Sequence, residues 1–143
     1  MTDRIVKISV CNKKTDKRYK NQEIKWSDLA KRNQTPIRTT ETAEEYPKLS
    51  KQKRDEAKDH GGFVGGHLKG GIRKNGNVLF RTVGTLDADS IPKNIDFPFI
   101  AGLTLENTAY FIYSTHSHTK ETQRYRLVFP FDREVGEDEY PAL

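Results

Sequence analysis

One cysteine, one tryptophan and one methionine occur in 143 residues, and no apolar run approaches the roughly 20 residues of a membrane-spanning helix. A lone Cys11 excludes an intramolecular disulfide and any zinc site built on cysteines. The first residues, Met1-Thr2-Asp3-Arg4-Ile5-Val6-Lys7, hold no apolar stretch long enough for a signal peptide. These absences predict a cytoplasmic protein. The length is that of one domain, taken as residues 1–143. Apolar residues make up 34% and charged residues 31%, so the expected core is modest.

Charge is plentiful and unevenly spread. The net charge is +5, which favours phosphate-rich partners, although solubility alone would also account for it. Lys13, Lys14, Lys17, Arg18, Lys20 and Lys25 form one basic cluster. A second consists of Lys48, Lys51, Lys53, Arg54 and Lys58. Acidic residues gather at 41–45 and at 132–139.

Alternation predicts a strand over 5–10, followed by a polar loop over 13–21. Residues 26–31 read as a short helix with Ser27 as its N-cap. Ser50 caps a second, highly charged helix over 51–59, which stops before Gly61-Gly62. That helix either lies on DNA or is simply solvated. Three glycine pairs then crowd the stretch 61–71. They form either a loop over which a nucleotide or template passes, or tight turns around a short strand Phe63-Val64. No Gly-Lys-Ser/Thr follows, so this is no phosphate loop. Asn75-Gly76 is a hairpin signal that would pair Ile72-Arg73 with 78–83. A short crossover over 92–103 leads to a strand over 108–114 beside the preceding one, then to a strand over 124–131. The pattern predicts an α+β fold with a mostly antiparallel sheet and a mixed α/β N-terminal half.

Chemistry concentrates on these last strands. Asp87 and Asp89 are two residues apart, which on a strand puts both carboxylates on one face. Like charges so placed repel unless a cation lies between them, and Mg²⁺ or Mn²⁺ would serve. A solvated strand end is the bland alternative. Ser114, His116 and His118 share a face if their strand continues, and could hold a triphosphate. A zinc site would need more ligands than His60, His67 and the carboxylates supply. Arg124 and Arg126 alternate with Tyr125 and Leu127. They would either grip phosphate bidentately or pair with Glu121 or Asp132 at the surface. Carboxylates for metal, with imidazoles and guanidiniums for phosphate, are the parts of nucleotidyl transfer.

Taken together, four segments carry a resemblance. They are Gly61-Gly62-Phe63-Val64-Gly65-Gly66, Thr85-Leu86-Asp87-Ala88-Asp89, Tyr113-Ser114-Thr115-His116-Ser117-His118 and Arg124-Tyr125-Arg126-Leu127-Val128-Phe129-Pro130-Phe131. Over roughly residues 26–143 the chain resembles the primase–polymerase domain of phage and mobile-element replication proteins. These belong to the archaeo-eukaryotic primase superfamily and often precede a helicase of the virulence-associated protein E type. The resemblance implies an RRM-like catalytic core with Asp87 and Asp89 as catalytic metal ligands. It implies Ser114 and His116, with His118 as the alternative donor, on the phosphates of the incoming nucleotide. Single-stranded DNA template, nucleoside triphosphates and a helicase domain or subunit are the implied partners. A third acidic motif is also implied. Asp132 and Glu134 follow the arginine strand too directly, so it is expected beyond Leu143. The expected function is therefore a metal-dependent DNA primase domain, truncated before its third motif. The alternative is a catalytically incomplete module that binds nucleic acid or nucleotide on the same fold.

Overall fold

The structure, a computed structural model, describes residues 3–142. It is α+β, as the pattern predicts, with two antiparallel sheets. In the first sheet β1 (Ile5–Cys11) lies between β2 (Lys20–Lys25) and β3 (Gly62–Val64). The second contains β4 (Gly66–Leu68), β5 (Val78–Pro92), β6 (Phe111–Ser114) and β7 (Thr122–Val135), in the spatial order β4-β5-β7-β6. The helices are α1 (Trp26–Gln34), α2 (Lys51–Ala57) and α3 (Phe97–Thr104). A four-stranded antiparallel sheet of this kind is compatible with an RRM-like core.

The core lies between the sheets. Val6 and Ile8 of β1, Ile24 of β2, Leu29 of α1, Val83 of β5 and Val128 of β7 form one buried cluster, with Trp26, Phe63, Phe111 and Tyr113 packed around it. Alternation explains the choice: Val6 and Ile8 point the same way from β1, and Val6 faces Ile24 across the ladder. Burial of apolar surface is the dominant stabilising term, at about 25 cal/mol per Å².

Polar side chains stitch the two sheets together. β3 pairs with β1 only over residues 9–11, so the backbone of Lys7 has no strand on that side. The Thr82 hydroxyl fills the gap. It accepts from the Lys7 N–H and donates to the Lys7 carbonyl, both at 2.8 Å. Asn21 does the same for β4, accepting from Leu68 N–H at 3.0 Å and donating to Leu68 O at 2.8 Å. Buried backbone groups need such partners.

Several local expectations change. The loop over 13–21 ends early, because Lys20–Lys25 forms β2 despite having Ile24 as its single aliphatic side chain. β1 supplies the ladder and one buried isoleucine is enough. Ser27 does not cap α1. Lys25 occupies the cap position without a side-chain bond, while Ser27 donates its hydroxyl to Asp3. Ser50 does cap α2, accepting from Lys53 N–H at 3.3 Å. The Asn75-Gly76 turn forms, with Gly76 at φ 77°. However, the strand it leads back to is β4, since Lys69–Gly71 makes a 3-10 turn where a pairing of 72–73 was expected. β6 pairs with β7 and not with the strand carrying Asp87.

The glycine-rich stretch is a junction of close backbones. A Cβ at Gly65 would collide with the Val83 carbonyl, and one at Gly66 with the Phe80 carbonyl. These glycines let β4 seat against β5, so the reading as turns around Phe63-Val64 is the one that fits.

Candidate functional site

β5 and β7 are long neighbours, and their register decides what meets. Asp87 lies opposite Arg126, which in turn lies opposite Tyr113 of β6. The next row is Ala88, Tyr125 and Ser114. Side chains in adjacent rows point to opposite faces. Asp87, Arg126 and Tyr113 therefore share one face, and Ser114 projects from the other.

Within the first row the contacts are direct. Arg126 Nε donates to Asp87 Oδ1 at 2.6 Å and Nη2 to Oδ2 at 3.1 Å, a two-pronged grip. Arg126 Nη1 reaches the Tyr113 hydroxyl at 3.4 Å. Asp87, with the Tyr113 oxygen beyond it, raises the pKa of Arg126 above its ordinary value against the opposing effect of burial. One step along, Arg124 Nη1 lies 3.4 Å from Asp89 Oδ1. Both carboxylates stay accessible, with side chains 52% and 56% exposed. The dyad stands at the end of regular pairing. Between Ala88 and Ile91 β5 carries one residue more than β7, and Ser90 takes φ 59° at this bulge.

The arginines thus find as partners the two aspartates, where the sequence pattern offered phosphate, Glu121 or Asp132. This resolves the repulsion within the dyad without a metal ion. Among the described residues no three His, Cys, Asp or Glu side chains gather as a possible metal site. Mg²⁺ and Mn²⁺ are held octahedrally, commonly by one or two carboxylates with waters and substrate phosphates completing the shell, and here both carboxylates are already engaged by guanidiniums that an ion would have to displace. The residues present do not by themselves fit a two-metal centre.

The remaining candidates are scattered. The His118 Nδ1 accepts from the Arg124 N–H at 3.1 Å, and its ring meets the edge of Tyr125 at 4.9 Å. Tyr125 also stacks on Phe97 of α3, 5.7 Å between ring centres. His118 therefore belongs with Tyr125, on the side away from Asp87. His116 packs edge-on against Tyr46 at 4.5 Å, in reach of Glu41. The Glu41 carboxyl is held below its ordinary range chiefly by its own backbone N–H and the Thr39 hydroxyl, with a smaller contribution from His116. Tyr113 was not singled out by sequence. Its signal was available, since alternation with Phe111 predicts which face it takes.

Fold and site define an α+β domain with a charge-paired face: two acidic side chains on one strand, two arginines on the next and a tyrosine behind them. The family model of the VapE N-terminal domain matches residues 1–143, and the chain belongs to that family. Searches of curated proteins and of solved structures each gave no match. Membership agrees with the virulence-associated protein E context implied by the sequence, that of phage and mobile elements. No helix among the described residues is long and apolar enough to cross a membrane.

Proposed function

We propose that this domain is a nucleic-acid- or nucleotide-binding module of a mobile-element replication protein, catalytically incomplete by itself. One observation carries the reading: Asp87 and Asp89 are each engaged by an arginine of β7, and no further acidic or imidazole ligand joins them among the described residues. Phosphoryl transfer by two metals needs ions fixed on both the attacking and the leaving oxygen. The surplus of positive charge favours a polyanionic partner. Single-stranded DNA, nucleoside triphosphates and a neighbouring helicase are the partners this reading anticipates, in the cytoplasm.

A second reading is metal-dependent primase activity with Mg²⁺ or Mn²⁺ on Asp87 and Asp89. It is favoured by the shared face and the half-exposure of the two carboxylates, and it calls for a further ligand from elsewhere. Arg124 and Arg126 are the phosphate donors this second reading puts beside the dyad, while a phosphate held by Ser114 or His118 would approach from the other side of the sheet.

The test compares binding and synthesis. Fluorescence anisotropy with a labelled single-stranded oligonucleotide should give an affinity in EDTA at least as high as in Mg²⁺, since the cation only competes for phosphate, and primer extension should be absent. Affinity that collapses in EDTA, together with nucleotide incorporation lost in Asp87→Asn, would replace the first reading by the second.

A further inference from the structure

One backbone hydrogen bond joins two stretches of chain that hold no acid. Tyr19 N–H donates to the Gly71 carbonyl at 2.7 Å. Neither residues 17–22 nor residues 60–86 contain an aspartate or a glutamate. A second tie lies beside the first, where the Asn21 amide holds the backbone of Leu68. Five cations stand within two residues of the Tyr19–Gly71 bond: Lys17, Arg18 and Lys20 from one stretch, Lys69 and Arg73 from the other. Two residues of chain reach at most about 7 Å, so each of their α-carbons lies within one Debye length, about 8 Å at physiological salt, of Tyr19 or Gly71.

These charges are free. All five residues are exposed, and none enters an ion pair among the described residues. No carboxyl group held below its ordinary range owes that to any of them. The nearest acid in sequence, Asp16, turns its carboxylate back to the Asn12 and Lys13 N–H groups, at 2.9 and 3.1 Å. It keeps its charge, so five cations stand against one anion. Lys74 is not counted, because Glu137 borders its turn. Arg73 is already ordered: its guanidinium lies over the Tyr19 ring, 6.0 Å from the centre, and Nη1 reaches the Tyr19 hydroxyl at 3.3 Å. Its remaining N–H groups form a pre-set fork for one phosphate. Like charges gathered in this way repel one another, and a polyanion relieves that repulsion.

The surface offers charge without a stacking platform. Tyr19 is buried, and the exposed apolar side chain amid the cations is Ile72. Binders of single strands add stacked aromatic side chains to a basic groove. Duplex DNA presents one phosphate charge per about 1.7 Å of its axis and asks for no stacking. We propose that the surface around the Tyr19–Gly71 bond binds the sugar–phosphate backbone of a DNA duplex, without reading its sequence. The inference rests on the nucleic-acid-binding reading above and adds both the surface and the form of nucleic acid it takes.

The experiment is fluorescence anisotropy of the full chain with a labelled DNA duplex of about 20 base pairs, and with one of its strands alone, across a salt series. The variant is Arg18→Gln/Lys20→Gln/Lys69→Gln. The control, Arg38→Gln/Lys53→Gln/Lys120→Gln, removes the same charge from exposed positions outside the two stretches. The duplex should bind more tightly than the strand. Loss of three phosphate contacts should flatten the slope of log K against log salt by about 3 for the duplex, and weaken low-salt binding at least about tenfold relative to the control. Ile72→Lys places a further cation amid the five and should tighten duplex binding more than Ile37→Lys does at an exposed position outside them, a gain that unfolding cannot mimic. Equal effects within each pair of variant and control overturn the surface. A strand bound as tightly as the duplex overturns the duplex as its occupant. Failure of the unsubstituted chain to bind either nucleic acid overturns the nucleic-acid reading and this surface with it.

Discussion

Arg126 holds Asp87 by two near-parallel contacts, Nε to Oδ1 at 2.6 Å and Nη2 to Oδ2 at 3.1 Å, across the β5–β7 ladder. Water reaches both groups, so the pair contributes modestly. A double-mutant cycle over Asp87→Ala and Arg126→Ala, read from urea midpoints, should give a coupling of about 0.5–1 kcal/mol. Additive single effects would mean that the grip does not persist in solution.

Thr82 should matter far more than its small side chain suggests. Its hydroxyl is the partner of both backbone groups of Lys7, and Thr82 is 8% exposed. Thr82→Val keeps the shape and strands the N–H and the carbonyl, at a cost of about 2–3 kcal/mol. Thr82→Ser retains the hydroxyl and should lose less than half of that in the same denaturation experiment.

Two glycines four residues apart should respond in opposite ways. Gly66→Ala drives a methyl group into the Phe80 carbonyl and should cost upwards of about 2 kcal/mol, visible as a lowered thermal midpoint. Gly62→Ala meets nothing within 4 Å and should stay within about 0.5 kcal/mol of the unsubstituted protein.

Acid should loosen the turn after β7 that carries Glu139. Arg133 donates to both its oxygens, at 2.8 and 2.9 Å, and Gly136 N–H to one at 3.1 Å. These contacts, Arg133 first, depress its pKa from 4.5 to about 2. A carboxyl with a depressed folded-state pKa stabilises above its unfolded value and loses that contribution as protons bind. The stability difference between the unsubstituted chain and Glu139→Gln should therefore be full above pH 4.5, shrink as pH falls, and vanish near pH 2. A difference independent of pH would exclude the Arg133 contact as its source.

Much of this architecture can be read from local pattern. Ile5 to Val10 alternates cleanly and forms the centre of its sheet, and Ser50 sits where a cap belongs. The shared face of Asp87 and Asp89 follows from their spacing. What escapes is whatever depends on which strand comes next. β2 is invisible because its sequence is polar and β1 supplies half of its reason to exist. The Asn75-Gly76 turn is legible, but not that the chain detours through a 3-10 turn before pairing. At the site, nothing in the spacing places β7 between β5 and β6. That order lands Arg124 and Arg126 on the carboxylates, and the β6–β7 register puts Tyr113 rather than Ser114 in the Asp87 row.

The reciprocal pairing of two aspartates with two arginines also bears on inheritance. A change at any one of the four codons leaves a partner charge unmatched, which gives selection a modest reason, separate from catalysis, to keep the partner. Selection for a well-paired ribbon would then preserve an Asp-x-Asp signature and its arginines through generations in which no nucleotide was ever joined. In such a lineage the motif records the ancestry of a sheet as readily as the persistence of a reaction.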